Sequence, residues 1–262
     1  MKSDQFSLHH EIELRHWWFR GRRRIVLSLI RSLVPPGQGR VLIDIGCGTG
    51  GNTFALAEEY AAVGVDPSPE AIAFAKTLPS SAVFIEGRFP ADVGQKFLRA
   101  AEMFLLLDVL EHLADDAGLV AEVVSCLRPG GYLLLTVPAG MRLWSEHDRS
   151  FGHYRRYDLA SLRALWAKQP VRELVVSYYN SRLYPVVLAA RMLSRLRGGA
   201  RGLAGTDFKM GNPGINAGLE QIFAGESRRL LEVLSGKRPQ GYGRGVSLIA
   251  VLRREPGEIK IN

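Results

Sequence analysis

Apolar positions along this chain follow two patterns that take turns. Over residues 5–34, Ile12, Leu14, Trp17, Trp18, Ile25, Val26, Leu29, Ile30 and Leu33 recur at spacings of three and four. That period predicts helix, stopped by Pro35, Pro36 and Gly37, with Gly21 as the place where it would kink or divide. Short apolar runs then alternate with helical stretches: strands over 41–45, 62–66, 82–86, 103–107 and 132–137, helices over 52–60, 69–78 and 116–127. Strands and helices in alternation predict parallel pairing with right-handed crossovers, a doubly wound α/β sheet. The unbroken apolar runs of the fourth and fifth strands predict that both sheet faces are covered.

After Pro138 the pattern changes. Residues 139–157 read as a polar and aromatic loop, Asp158 is placed to cap a helix reaching residue 168, and strands follow over 171–179 and 246–252. Residues 180–244 are too many for a hairpin loop. They carry helical patterns over 185–196 and 218–234 around a Gly/Arg-rich stretch at 197–205, and read as a lid inserted before the last strand. The expected organisation is an N-terminal helical cover (1–36), an α/β core (37–179), a helical lid (180–244), and the last core strand with a tail (245–262).

Composition adds less. Lys and Arg number 34 against 26 Asp and Glu, a formal net charge of +8 that favours an anionic partner: nucleic acid, a membrane surface or an acidic small molecule. Two cysteines cannot build a disulfide framework, which fits a reducing compartment. The first residues lack a signal-peptide pattern, and no apolar run approaches the ~20 residues of a spanning helix. A cytoplasmic protein is expected. Peripheral membrane contact through the basic N-terminal segment or the 185–196 helix stays open, and the oligomeric state is not addressed by the sequence.

The informative stretch is Val41-Leu-Ile-Asp44-Ile-Gly46-Cys47-Gly48-Thr-Gly50-Gly51. A strand ends in an acid, then turns through glycines into a helix, bringing bare backbone close to a ligand. Gly46, Gly48 and Gly51 satisfy the GxGxxG spacing of dinucleotide sites, and Asp66 closes the next strand where a ribose-binding acid is expected. Asp44 separates the two candidate cofactors. A carboxylate there would repel a pyrophosphate but suits the sulfonium and ammonium of S-adenosylmethionine, which carries no phosphate. A nicotinamide-dependent oxidoreductase remains the rival, although no tyrosine has a lysine four positions on to serve hydride transfer.

Four segments in order resemble the class I S-adenosylmethionine-dependent methyltransferases: Val41 to Gly50, Val63-Gly-Val-Asp66-Pro67-Ser68, Phe104-Leu-Leu-Leu107-Asp108-Val109-Leu-Glu111-His112-Leu113, and Leu127 to Pro138. The resemblance covers about residues 40–138. It implies a Rossmann-like seven-stranded sheet whose last two strands form an antiparallel pair. It also implies a cofactor site of Asp44, Gly46, Cys47, Gly48, Gly50, Asp66, Pro67, Gly87, Arg88, Leu107, Asp108, Val109 and His112. In similar proteins an N-terminal segment closes over the cofactor, which would bring in Trp18 and Arg20. The Asp108-Val109-Leu110-Glu111-His112 run resembles methyltransferases of small molecules. A Pro-Pro-Tyr/Phe run typical of nucleic-acid amino methylation is absent, so nucleic acid is the weaker partner and an RNA or lipid-linked-sugar acceptor the alternative.

Methyl transfer from a sulfonium needs positioning, dryness and, for a hydroxyl or amine acceptor, a base. The run from Trp144 to Tyr157 gathers His147, Asp148, His153, Tyr154, Arg155 and Arg156 in one loop at the same sheet edge. His147 or His153 is expected as general base with Asp148 orienting it. Trp144, Tyr154, Arg155, Arg156 and Tyr157 are expected to bind the acceptor, the arginines gripping an anionic part of it. No spacing here is diagnostic of a metal, so none is expected. The acceptor is read as a small molecule, anionic or lipid-linked.

Overall fold

The computed structural model describes residues 10–196 and 212–256. Seven strands make one sheet: β1 (Gly37–Ile45), β2 (Tyr60–Asp66), β3 (Val83–Glu86), β4 (Ala101–Leu107), β5 (Tyr132–Pro138), β6 (Val171–Tyr179) and β7 (Ser247–Arg254). Their spatial order is β3-β2-β1-β4-β5-β7-β6. The first five strands pair in parallel, while β7 runs antiparallel to both β5 and β6. The winding direction reverses between β1 and β4, so a crevice opens beyond their carboxyl ends.

Side chains along each strand alternate between two covered faces. Leu42, Met103, Leu105, Leu134 and Ile249 pack against Ile25, Leu29 and Ile30 of the helix Trp17–Leu33, joined by Phe223 and Leu230. On the other face Ile43, Phe104, Leu106, Leu133 and Leu135 meet Val120, Val123 and Val124 of the helix Asp116–Cys126. Each such fully buried aliphatic contributes roughly 1.5–3 kcal/mol. The predicted two-sided cover is therefore what holds the sheet.

The N-terminal helix does not divide at Gly21. Residues 10–15 are helical, His16 interrupts them, and its ring accepts a hydrogen bond from the Trp18 N–H at 3.2 Å to start the helix Trp17–Leu33. Gly21 lies inside that helix because Phe223 passes over it: a Cβ there would stand 2.5 Å from the Phe223 ring. Gly21→Ala gains about 1 kcal/mol of helix propensity but overpacks a fully buried ring at a cost of about 1–3 kcal/mol. A net lowering of the unfolding temperature by a few degrees is expected in calorimetry.

The segment between β6 and β7 also departs from its pattern. In place of one helix over 218–234 there are two, Pro213–Ala224 and Ser227–Leu234. The break falls at Glu226, whose buried carboxylate accepts from the backbone N–H groups of Ser181 and Arg182 at 2.8 and 2.7 Å. Both helices belong to the layer around Trp17–Leu33, and among the described helices of this segment only Tyr184–Leu196 fronts the crevice. The Gly/Arg-rich stretch at 197–205 lies outside the described residues. Among these, no helix is long and apolar enough to cross a membrane.

Candidate active site

A cavity of about 760 Å³ opens at the carboxyl ends of β1 and β4. The loop leaving β1 forms one wall. Gly46, Gly48 and Gly50 all have positive φ (74°, 54° and 81°). At Gly46 a Cβ would stand 2.6 Å from Val109, so the loop is pressed against the exit of β4; at Gly48 nothing lies within 4 Å of a Cβ position. Gly48 thus offers bare backbone to the cavity it lines, whereas Gly50 is packed against Phe84. Cys47 is buried on the same wall, where desolvation pushes its thiol far up and keeps it uncharged.

Asp66 sits one strand away, its Oδ2 accepting from the Gly48 N–H and its Oδ1 from the Ser68 N–H, both at 2.9 Å. Each oxygen keeps a further lone pair for a diol. Gly87 is next to it, donating its N–H to the Asp66 carbonyl at 3.0 Å. Asp66, exposed Pro67, Gly87 and exposed Arg88 lie along adjacent strand ends beside the cavity and outside its wall.

Asp44 is not at the ligand surface. It is 1% exposed and accepts a hydrogen bond from the Thr53 hydroxyl at 2.7 Å, so direct contact with a donor is replaced by a charge acting across the loop. Burial raises its pKa to about 6, against the Thr53 hydrogen bond and the Arg22 charge. Its stabilising effect is therefore full below its unfolded pKa near 4 and is lost as pH rises through 6. Asp44→Asn should raise stability at pH 7–8 by up to about 3 kcal/mol and leave it unchanged near pH 4, as read from unfolding temperatures across that range.

The N-terminal segment supplies an arginine, but not the expected one. Arg20 pairs with Glu220 at 2.8 Å, away from the cavity. Arg22, 6% exposed, forms an ion pair with Asp108 on the cavity wall and lies 4.7 Å over the Trp18 ring. Trp18 and Arg22 share a helix face at i and i+4 while Arg20 points elsewhere, a signal present in the sequence. Glu13, also on the wall, accepts from the Thr49 hydroxyl at 2.9 Å and ties this segment to the glycine loop. Asp108, at φ 60°, and Asn180, at φ 52°, hold backbone conformations that non-glycine residues rarely adopt. Both line the cavity, and the fully buried Asn180 amide has no hydrogen-bond partner on either atom.

The loop after β5 folds around a buried carboxylate. Asp148, 0% exposed, closes a capping box with Ser145 and accepts from Arg156 Nε at 2.7 Å; its Oδ1 also bonds His153 Nδ1 at 3.0 Å. Burial would raise its pKa, but His153 and Arg156 outweigh that and hold it well below the usual carboxylate range. Asp148 therefore orients His153, and the His147 ring stands with its centroid 6.2 Å from that of His153. His147, His153, His112 and Arg156 all reach the cavity. Glu111, 1% exposed, lines it too, with its pKa raised by burial to about 8.

The other residues expected to bind the acceptor are elsewhere. Tyr157 is 2% exposed, drawn inside by its bridge to Ala139, and donates to Asp116 at 2.7 Å. Arg155 pairs with the same Asp116 at 2.8 Å and donates to the Ala114 carbonyl. Trp144 and the exposed Tyr154 do not line the cavity, and Arg156 is held by Asp148. No arginine of this loop is left to grip an anion from within the cavity. Apolar lining comes from Trp17, Trp18 and Phe19 and from Val187, Ala190 and Leu193 of the helix Tyr184–Leu196, which also brings Arg191 to the wall.

Comparison with known proteins bears on this arrangement. Residues 15–169 match the methyltransferase domain family. A ubiquinone biosynthesis O-methyltransferase of Methylobacterium sp. (strain 4-46) is 36% identical over 112 residues, 41% of this chain and 45% of that protein. A trans-aconitate 2-methyltransferase of Acidovorax ebreus (strain TPSY) is 29% identical over 45% of each chain. The matches thus span under half the length of these relatives. Among solved structures, the plantazolicin methyltransferase BpumL, in complex with a pentazolic desmethylPZN analog and SAH, has a TM-score of 0.58 at 14% identity, covering 97% of this chain and 91% of that one. A chain from a complex with the Haloferax volcanii Trm112 methyltransferase activator gives 0.56 at 17% identity, over 97% and 96%. The chain belongs to the class I S-adenosylmethionine-dependent methyltransferases.

Proposed function

We propose that the protein transfers a methyl group from S-adenosylmethionine to a hydroxyl, or an amine, of a small molecule with an apolar body, including one carried on a lipid. The observation that carries the reading is the convergence of the glycine loop and the histidines of the 144–157 loop on one cavity. The residues present fit the donor. Gly48 offers backbone without a Cβ in the way, Asp66 retains lone pairs for a ribose diol, and Arg22, Asp108 and Glu13 present both charges to an amino acid group. When bound, S-adenosylmethionine supplies a methyl group on a positively charged sulfur that departs as a neutral thioether.

The chain's own residues do the rest. Trp17, Trp18, Phe19 and the helix Tyr184–Leu196 exclude water and hold the apolar part of the acceptor. Its oxygen or nitrogen is directed to the corner of Glu111, His112 and His153, and a histidine of the 144–157 loop takes its proton. Asp148, through Nδ1, fixes which nitrogen of His153 faces the acceptor. Turnover is measured by release of S-adenosylhomocysteine on a panel of phenols, hydroxy acids and amines. On whichever acceptor reacts, His147→Ala and His153→Ala are each expected to lower kcat by about 10²–10⁴. Normal kcat in both variants would end the proposal of a histidine base.

A further inference from the structure

We infer that Glu111, His112 and His153 form a binding site for a divalent transition-metal cation at the cavity wall, where the ion holds the acceptor's oxygen. The use of the ion rests on the transferase reading; the site itself does not. One ligand atom from each residue lies within 4.8 Å of the other two. Two ligands about 2.1 Å from one ion can stand about 4.2 Å apart, so rotamer-scale movement closes the set.

The surroundings prepare the donors. His153 has Nδ1 on Asp148 Oδ1 at 3.0 Å, and Asp148 is itself fixed by Arg156 at 2.7 Å and the Ser145 N–H at 2.8 Å. His153 thus has one nitrogen anchored to oxygen and the other left as a lone pair, the outer-shell arrangement usual for metal-binding histidines. The His112 and His153 rings stand edge to face, with centroids 4.6 Å apart. Glu111 Oε2 is buried with no hydrogen-bond partner, an expensive position for a carboxyl group that a cation would relieve. The Glu111 carbonyl accepts from the Tyr154 N–H at 2.7 Å, which locks the turn after β4 to the loop after β5.

Two imidazoles and one carboxylate favour zinc, iron or manganese over magnesium and calcium, which prefer oxygen alone. Three protein ligands leave positions open toward the cavity, as in sites that act on substrate. An acceptor hydroxyl bound there gives up its proton more readily. The roles of the two loop histidines then separate: His153 is a ligand and His147 takes the proton. The acceptor's O–H bond breaks with its proton passing to His147. The O–C bond forms as the donor's S–C bond breaks, and the cation keeps its oxidation state.

The test uses the full chain, stripped with a chelator and titrated with Co²⁺, followed by calorimetry and by the visible absorption of the bound ion. One Co²⁺ per chain is expected, bound at least about tenfold more weakly by Glu111→Gln and by His112→Ala. The first variant is isosteric and removes a buried acid, and the second changes an exposed side chain, so neither should lower the parent unfolding temperature. No stoichiometric binding by the parent protein, or unchanged affinity in either variant, would overturn the site. A parallel titration with S-adenosylhomocysteine separates the two readings: its failure alone would remove the transferase and leave the metal site standing.

Discussion

Replacing Asp148 by alanine is expected to destabilise the protein by about 3–5 kcal/mol, because it strands a buried charge. Arg156 is 4% exposed at its side chain and takes both oxygens of Asp148, at 2.7 and 3.2 Å. Without the carboxylate, that guanidinium keeps only the Ala139 carbonyl at 3.2 Å. The unfolding temperature should fall on the order of 10 °C at neutral pH. The effect has a pH signature. Asp148 has its pKa held well below the ordinary range, so its contribution is present above the unfolded value near 4 and is lost as pH falls further. Parent and variant should therefore converge in acid. His153 also loses the oxygen that fixes its ring, and turnover should fall further than stability alone explains.

The second large effect is on cofactor affinity. Asp66→Ala removes the acceptor for the Gly48 and Ser68 N–H groups together with the proposed partner of the ribose hydroxyls. Hydrogen bonds to a charged group contribute about 1.5–3 kcal/mol each, so loss of two should weaken S-adenosylmethionine binding by about 10²–10⁴. Calorimetric titration gives the number directly. Because Asp66 lies outside the core, the unfolding temperature should move little by comparison.

How far this could be read from the sequence depended on whether a signal was local. Strand alternation and the glycine loop announce themselves within a few residues, and the sheet follows because each apolar run needs two covered faces. The helix phase that selects Arg22 over Arg20 was also local: Trp18 and Arg22 are four apart, and an arginine two positions on from Trp18 points away. The corner of the cavity is different. Glu111 and His112 leave β4, His153 arrives after β5, and only the folded loop between them brings their ligand atoms together. Tyr154 and Tyr157 look alike in sequence, yet the bridge from Ala139 buries one and leaves the other 62% exposed. Asn180 gave no signal at all, since its positive φ is imposed by the exit of β6.

What binds beside the glycine loop decides the chemistry of the cavity. The measurement that decides it is isothermal titration of the intact protein with S-adenosylmethionine, S-adenosylhomocysteine and NAD. The expected result is micromolar binding of the first two and none of NAD, because Asp44 stands one strand position before the loop and repels a pyrophosphate. Binding of NAD with no response to either sulfur compound would contradict the central claim.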